Sequence, residues 1–411
     1  MRSSNIEVPV KLVYLLGLGA FALGLDAYVT AGLLPVIADD FDASVSATGQ
    51  MVTTFTLAYA IASPIFATLL SASRVRTGLL ASLAVFAVAN AGSALAGSLG
   101  LLLIARAFAG VGAGLYLALA ASAAASLVDE KRRGRALAMI MGGMSSGTVI
   151  GVPLGVFIAQ HTSWRATLWL VAALGLIAFT GLALRLPQLP AGSSVTLRQR
   201  AQVVTDPRVA SIVGVSFLAA IGSLGLYTYI APVMKAHAMG GVDNITPYLW
   251  AWGIGGVLGS LLIGPLVDRV RRPQTLVVGI LALLTLALAV MRPAAGVSPL
   301  LALLPLALWG AVGWALQVPQ QNDLLLARGD RGGSVAVALN ESALYLGSAV
   351  GSGLGGIAFS TGIGGATLPL CAAGAAFLAL VLQLTGVRAA SKRRPLPATE
   401  HTAAVPAQSC N

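Results

Sequence analysis

The sequence predicts an all-α polytopic membrane protein with twelve transmembrane helices in two six-helix pseudo-repeats and both termini in the cytoplasm. The first observation behind this prediction is a series of long apolar stretches. A helix needs roughly 20 apolar residues to cross a bilayer. Stretches of that kind, numbered here as spans 1 to 12, lie near residues 12–36, 48–70, 77–97, 99–124, 136–160, 165–186, 208–232, 246–267, 273–292, 298–318, 334–359 and 363–388.

The second observation is where the basic side chains stand between these spans. Of the 25 Lys and Arg residues, 21 lie at the two ends of the chain or in alternate gaps. The other gaps hold Arg165, Lys235 and Arg292, and Arg106 falls inside span 4. Positive residues concentrate on the cytoplasmic side of membrane proteins. Both termini are therefore expected in the cytoplasm, with an even number of spans.

Composition excludes most soluble functions. Charged residues make up 9% of the chain, against about 25% in a soluble domain. The net charge of +11 follows from topology, so no nucleic-acid partner is expected. The sequence contains no G-x-x-x-x-G-K-[ST] phosphate loop, and Cys371 and Cys410 imply no disulfide framework. We expect no enzyme, no metal and no cofactor, with a proton gradient as the energy source.

The third observation is an internal repeat at an offset of about 200 residues. Three pairs of segments match in the same order: 24–29 with 225–230, 63–64 with 264–265, and 147–155 with 347–355. The predicted organisation is a first half at 1–186, a cytoplasmic linker at 187–207, a second half at 208–388 and a disordered cytoplasmic tail at 389–411. Parallel halves of this kind carry their substrate site at the midplane between them.

Four motifs in their proper spans resemble the major facilitator superfamily. They are Leu25-Asp26-x-Tyr28 in span 1, Arg106-x-x-Ala-Gly110-x-Gly112 in span 4, Gly147-x-x-x-Gly151-x-Pro153-x-Gly155 in span 5, and Gly264-Pro-x-x-Asp268-Arg269-x-Arg271 between spans 8 and 9. Trp164 and Arg165 opening span 6 add a similarity to the branch of arabinose and chloramphenicol exporters. The resemblance covers residues 12–388 and implies a twelve-helix drug:proton antiporter.

The resemblance also implies roles for two of these motifs. In the family, the span 5 motif of Gly147, Gly151, Pro153 and Gly155 accompanies exchange. The loop of Gly264, Asp268, Arg269 and Arg271 would latch the inner side of the outward-facing state. The glycine spacings let helices approach closely, which tight packing alone would explain. As a functional alternative, we expect sliding contacts between spans 5 and 8 or between spans 2 and 11.

Two departures from the family pattern affect these roles. The first-half loop at 67–78 lacks the aspartate of the motif, so only the second copy can form the latch. Many relatives carry the span 1 acid one position later, where this chain has Ala27. One residue changes the direction of a helical side chain by about 100°.

Three ionisable residues are candidates for proton coupling: Asp26, Arg106 and Glu341. Asp26 lies about 15 Å below the outer end of span 1, and Arg106 lies about 11 Å below the same face, so the two can meet. A bare carboxylate at that depth costs about 2.5–3.5 kcal/mol. Asp26 is therefore either a proton site or half of a static ion pair. Glu341 is either a second proton or cation site or a solvated residue of an inner cavity.

Six aromatic residues are candidates for the wall of a substrate cavity, because aromatic walls suit a flat, apolar or cationic ligand. They are Tyr28, Tyr116, Tyr227, Tyr229, Trp309 and Trp314. For each of them, packing within a helix bundle is the alternative.

The predicted function is proton-coupled export of a small, largely hydrophobic compound by alternating access. Export of a sugar or another polar metabolite is one alternative, and a receptor or scaffold that transports nothing is another. The expected partners are the small-molecule substrate, protons and membrane lipids, and we expect a monomer. Helical spans and the Ala-, Gly- and Leu-rich composition predict a multi-pass protein of a bacterial cytoplasmic membrane.

Overall fold

The computed structural model describes residues 4–69, 75–129, 132–189, 205–270, 273–328 and 333–392, and within these ranges the regular structure is helical. Six helices form the first half. They are α1 (Ser4–Asp40), α2 (Val45–Leu69), α3 (Val75–Ala94), α4 (Leu99–Ser126), α5 (Arg133–Ser146, then Gly147–Gly151 and Val152–His161) and α6 (Trp164–Arg185).

The second half has the same number of long helices. They are α7 (Pro207–Thr228, then Ile230–Lys235), α8 (Thr246–Arg269), α9 (Pro273–Val297), α10 (Leu303–Ala315, then Gln317–Arg328), α11 (Gly333–Ser360) and α12 (Leu368–Lys392). Each predicted span corresponds to one of the twelve helices. The predicted tail falls mostly outside the described residues, and so does most of the linker.

Eleven helices in the described ranges are long and apolar enough to cross a membrane. The twelfth, α2, has described side chains only up to residue 63; it packs between α4 and α11 and carries a row of hydroxyl side chains. Thr56 donates to the Val52 carbonyl (2.8 Å), while Ser46 donates to the Gly356 carbonyl of α11 (2.6 Å). A helix that faces protein can carry polar groups where each has a partner.

The two halves repeat the same helix packing. Helix α1 packs on α5 and α6 as α7 packs on α11 and α12, and α2 packs on α4 as α8 packs on α10. The contacts between the halves follow the same rule, since α2 meets α11 and α5 meets α8. The predicted pair of six-helix repeats is therefore confirmed as the fold. Because the helix count is even and successive helices alternate in direction, the first and last described residues, Ser4 and Lys392, lie at the same end of the bundle, called here the terminal end.

Short polar contacts set the helix boundaries. The Ser163 side chain caps the start of α6 by accepting from the Arg165 amide (3.1 Å), and Asp206 caps α7 by accepting from the Arg208 amide (2.8 Å). At the end of α6, Arg76 donates to the carbonyls of Ala183 (2.9 Å) and Leu186 (2.7 Å). These carbonyls have no partner inside their own helix, so Arg76 joins α3 to α6 at the terminal end.

The motif glycines contact helices of their own half. Gly147 and Gly151 of α5 lie against Phe21 and Leu25 of α1, and in the second half Gly351 lies against Gly225 of α7. Sliding contacts between spans 5 and 8, or 2 and 11, were predicted for the glycine motifs; α5 does meet α8 and α2 does meet α11, but Gly147, Gly151 and Gly351 face their own half, and sliding stays a prediction. Small residues allow a close backbone approach, and here that approach joins α1 to α5 and α7 to α11.

Pro153 accompanies a change of helical register in α5. The segment Gly147–Gly151 is a π-helical turn, in which the Val152 amide donates to the Gly147 carbonyl five residues earlier. Proline has no amide hydrogen and interrupts the regular hydrogen-bond series, and a π turn just before it absorbs the interruption. This turn stands where α5 contacts both α1 and α8.

We expect Gly147→Ala to destabilise the first half and Gly142→Ala, in the same helix, to leave it unchanged. A Cβ on Gly147 would collide with the Phe21 carbonyl and come within 2.9 Å of the Leu25 amide nitrogen, whereas a Cβ on Gly142 would meet nothing within 4 Å. Overpacking of this kind costs about 1–3 kcal/mol. Thermal unfolding of the two purified variants in detergent measures the difference, and equal melting temperatures would contradict the packing described here.

Candidate functional site

Three polar side chains form a closed hydrogen-bonded group inside the first half, called here the buried triad: Asp26 of α1, Asn90 of α3 and Arg106 of α4. Arg106 Nη1 donates to Asp26 Oδ1 (2.6 Å) and to Asn90 Oδ1 (3.2 Å). Asn90 Nδ2 donates to Asp26 Oδ2 (3.1 Å) and to the Phe86 carbonyl (3.1 Å). All three side chains are at most 1% exposed.

The arrangement removes both charges of the triad from lipid and water. Asp26 lies near the middle of the apolar stretch Lys11–Asp40, and the Arg106 guanidinium carbon stands 4.5 Å from the Phe55 ring centroid. Arg106 Nε has no hydrogen-bond partner among the described residues. Breaking a buried pair by removing one partner costs about 3–5 kcal/mol. Any step that separates Asp26 from Arg106 must therefore neutralise the acid or supply another partner.

The face of α1 next to Asp26 lines a small cavity between the halves, called here the central cavity. Its volume is about 20 Å³, which is enough for about one water molecule. Ala27, Tyr28 and Ala31 line it from α1, together with Val52, Thr56, Leu224, Tyr227, Thr228, Tyr345 and Ser348. Asp26 itself faces α3 and α4, so it does not line the cavity.

Aromatic rings surround one side of the central cavity. The Tyr28 ring centroid lies 5.5 Å from that of Tyr227, 5.8 Å from that of Trp252 and 6.3 Å from that of Trp314. Tyr227 and Trp252 are 4.4 Å apart. These four residues, called here the aromatic cluster, bring α1, α7, α8 and α10 together. They form a wall to which both halves contribute.

Two of the six aromatic candidates, Tyr116 and Tyr229, form hydrogen bonds inside their own halves and are not among the residues that line the central cavity. Tyr116 donates to the Leu16 carbonyl (2.8 Å) between α4 and α1, and Tyr229 donates to the Ser352 carbonyl (2.8 Å) between α7 and α11. Trp309 is fully buried and its indole donates to the Ser223 hydroxyl (2.7 Å). Its ring centroid lies 6.2 Å from that of Tyr227 and 6.1 Å from that of Trp252, so Trp309 packs against the aromatic cluster. A role of these residues in a substrate cavity stays a prediction.

Contacts between α2 and α11 flank the central cavity on both sides. On the side away from the chain ends, the Thr53 and Ser352 hydroxyls are 2.9 Å apart. On the terminal side, the Tyr59 and Tyr345 rings stack with centroids 3.6 Å apart. The cavity is thus closed between the halves in this conformation.

Sequence reasoning missed Asn90, Trp252 and the Tyr59–Tyr345 stack. Asn90 carried a usable signal, because an amide inside an apolar span needs a partner there. Trp252 has an indole nitrogen without a partner among the described residues although the side chain is 3% exposed. The tyrosine stack depends on how α2 and α11 meet, which no single span reveals.

Glu341 stands on α11 beside the terminal side of the cavity. It lies four residues before Tyr345, and residues at that spacing share a helix face. Gln321 Nε2 of α10 donates to Glu341 Oε1 (3.1 Å). Glu341 is only partly exposed, and within the described ranges no ion pair to it is present.

A larger groove opens beside α1 nearer the terminal end. It measures about 360 Å³ and is lined by Val13, Tyr14, Gly17, Leu18, Phe21, Met139, Gly142, Gly143 and Ser146. Its size lies within the range of small-molecule sites. The groove belongs to α1 and α5 and is mostly apolar in its lining residues.

The predicted loop latch is described only in part. Gly264 and Arg269 belong to α8, where Arg269 is the last residue and is exposed. The side chain of Asp268 and all of Arg271 lie outside what the structure describes, and so does most of the first-half loop. The latch therefore remains a sequence-based prediction.

Comparison with known proteins agrees with the fold and with the motifs. The family model of the Major Facilitator Superfamily matches residues 16–352. The chain is 30% identical over 373 residues to the inner membrane transport protein YdhP of Escherichia coli K12, covering 91% of this chain and 95% of that protein. It is also 31% identical over 275 residues to a chloramphenicol resistance protein of Streptomyces lividans, covering 66% of this chain and 70% of that one.

Solved structures show the same architecture at lower identity. The xylose transporter XylE from E. coli, in a partially occluded inward open conformation, superposes with a TM-score of 0.73 at 16% identity over 92% of this chain and 99% of that one. A bacterial homologue of the human lysosomal transporter Spinster, inward-facing and unoccupied, gives 0.72 at 17% identity over 96% and 100%. With its twelve helices in two repeated halves and the family model matched across both of them, this multi-pass membrane protein belongs to the Major Facilitator Superfamily of transporters.

Proposed function

We propose that this transporter exports a small, largely hydrophobic compound in exchange for protons. The buried triad is the observation that carries the coupling part of this proposal. A carboxylate near the middle of a membrane span is costly unless it is paired, and Asp26 is paired with Arg106 through a single guanidinium nitrogen. Protonation of Asp26 removes its charge and weakens that pair.

Coupling between proton and substrate would pass through α1. Asp26 and Ala27 are adjacent and point about 100° apart, so the same turn of α1 carries the acid on one face and the cavity wall on the other. A rotation or shift of α1 that follows release of Arg106 would move Tyr28 and Ala31 at the cavity. Substrate and proton would then act on the same helix without touching each other.

The composition of the cavity wall supports a hydrophobic substrate. Three of its ten lining residues are tyrosines and four are aliphatic, while Thr56, Thr228 and Ser348 add hydroxyl groups. A cavity of about 20 Å³ holds no drug-sized molecule, so substrate entry requires the halves to separate around the aromatic cluster. The groove between α1 and α5 offers an apolar approach from the terminal end. The chloramphenicol resistance protein among the relatives supports export of such compounds.

Export of a polar metabolite is the alternative proposal. The indole nitrogen of Trp252, which has no partner among the described residues, and the amides of Gln317 and Gln321 beside Glu341 would favour it. A polar substrate needs several hydrogen-bonding groups around it, because each unpaired polar group costs free energy. The residues that line the central cavity supply hydroxyl groups but no charged, amide or imidazole group, which favours the hydrophobic substrate.

Asp26→Asn should abolish transport driven by a pH gradient and retain substrate counterflow, because an amide cannot carry the proton. Proteoliposomes measure both activities with the compound that shows the highest counterflow in a panel that includes chloramphenicol. Asp40→Asn is the matched control, since Asp40 pairs with Arg165 at the surface, where both side chains are about a third exposed. Gradient-driven transport at the unmodified rate in Asp26→Asn would remove Asp26 from coupling.

A double variant separates coupling from packing. Asp26→Asn alone leaves Arg106 buried without a counter-charge, so it can lose about 3–5 kcal/mol of stability. Combining it with Arg106→Gln removes both charges, and we expect recovery of the melting temperature and of counterflow, with no gradient-driven transport. Recovery of gradient-driven transport in the double variant would make the pair a static contact between α1 and α4.

Alternating access predicts that joining α2 to α11 stops transport. Thr53→Cys with Ser352→Cys, in a background carrying Cys371→Ser and Cys410→Ser, places two thiols where hydroxyls now lie 2.9 Å apart. Oxidation should lower counterflow to the level of empty proteoliposomes, and a reductant should restore it. Each single cysteine variant is the control. Unchanged counterflow in the cross-linked protein would show that this interface stays closed during transport.

A further inference from the structure

Beyond a hydrophobic substrate in general, we infer that the site selects a lipophilic organic cation, with Glu341 as its counter-charge and the neighbouring aromatic rings as its wall. This inference rests on the proposed function and names the substrate class of the same site. The two acidic side chains Asp26 and Glu341 of the membrane-embedded region differ in whether a basic side chain neutralises them. Asp26 is neutralised by Arg106, whereas no basic residue of the described ranges forms an ion pair with Glu341.

The surroundings of Glu341 leave its charge uncompensated. Within the described ranges its carboxylate accepts a hydrogen bond from Gln321, a neutral amide, which also donates to Gln317. Neutral donors stabilise a carboxylate less than a cation does. A partly buried carboxylate in a membrane protein calls for a positive partner, and a substrate that carries that charge supplies one during transport.

The aromatic residues complete a site for an organic cation. Tyr345, one helical turn from Glu341, stacks on Tyr59 at 3.6 Å, and Tyr345 also lines the central cavity beside Tyr28 and Tyr227. Faces of tyrosine and tryptophan rings attract cations, most strongly where water is excluded. A bulky cation among these rings would have its apolar groups against aromatic surface and its charge toward α11.

The position of Glu341 assigns it to the substrate and leaves the proton to Asp26. Glu341 and Asp26 belong to different halves, and Asp26 faces away from the central cavity while Glu341 shares a helix face with a cavity-lining residue. The two acids therefore have separate partners: Asp26 pairs with the buried guanidinium of Arg106, and Glu341 would pair with the substrate in the cavity. Substrate charge and proton coupling can then be tested independently.

The test compares two probes of the same shape. Methyltriphenylphosphonium is a permanent lipophilic cation, and triphenylphosphine oxide is a neutral molecule with the same three rings. Equilibrium dialysis against the purified full-length protein, without any gradient, measures their dissociation constants. The phosphonium forms no hydrogen bond, so its advantage is the coulombic attraction to Glu341 and the cation–π attraction to the rings, and we expect the cation to bind about tenfold or more tighter than the neutral probe, a difference of about 1.4 kcal/mol or more.

Three variants decide the role of Glu341. Glu341→Gln should weaken binding of the cation about tenfold or more and leave the neutral probe unchanged, which also shows that the variant is folded. Glu341→Asp keeps the charge and should keep the preference for the cation. Asp40→Asn, the surface control, should bind both probes as the unmodified protein does.

Each other outcome overturns the inference. Equal affinity of the unmodified protein for both probes would show that charge is not selected, and the proposed export of hydrophobic compounds would stand. Loss of both probes in Glu341→Gln would make Glu341 a packing residue. Failure to bind either probe would exclude this substrate class, while proton coupling is decided separately by the gradient-driven assay on Asp26→Asn.

Discussion

The pairing of Asp26 with Arg106 inside the first half is the constraint on which the site depends. Two charges at that depth are tolerated only together, and their contact fixes the rotation of α1 against α4. Asn90 adds hydrogen bonds to both partners, so the rotation is held from α3 as well. Once Asp26 faces this group, Ala27, Tyr28 and Ala31 face the other half, and the position of the central cavity follows from the triad.

Two kinds of helix contact divide the molecule into parts that stay together and parts that can separate. Inside each half, glycine faces bring backbones together, α1 to α5 and α7 to α11, and no side chain can rearrange to loosen such a contact. Between the halves, α2 and α11 meet through the hydroxyl groups of Ser46, Thr53 and Ser352 and through the Tyr59–Tyr345 ring stack, so each of these contacts involves a side chain that can rearrange. A transporter that moves its halves as bodies needs this distribution, with rigid contacts within a half and adjustable ones across the boundary.

The sequence predicted the number of helices, their order and the repeat, because span length, charge placement and the 200-residue offset are one-dimensional properties. It also brought Asp26 and Arg106 together, since both were at similar depth below one face of the membrane. Of the six aromatic candidates, Tyr28, Tyr227, Trp309 and Trp314 meet in or against the aromatic cluster, whereas Tyr116 and Tyr229 pack elsewhere. Moving by one residue along a helix changes the direction of a side chain by about 100°. Only the packing of the helices determines which face of each span points toward the space between the halves. The spacing of the glycine motifs likewise shows that a helix has a face of small residues, but it does not show which neighbouring helix that face contacts.

The polarity of α2 has a consequence for how easily the halves part. Ser46 and Thr53 bond across the boundary to the Gly356 carbonyl and to Ser352, and on opening each of these groups can exchange its partner for a water molecule. The exchange leaves the number of hydrogen bonds nearly constant. The free-energy difference between the closed and open boundary therefore depends mainly on the hydration of the polar surface that α2 and α11 share. Solutes too large to enter the space between α2 and α11 would draw water out of it and favour the closed boundary. Osmotic pressure would then affect transport in addition to the gradients of proton and substrate.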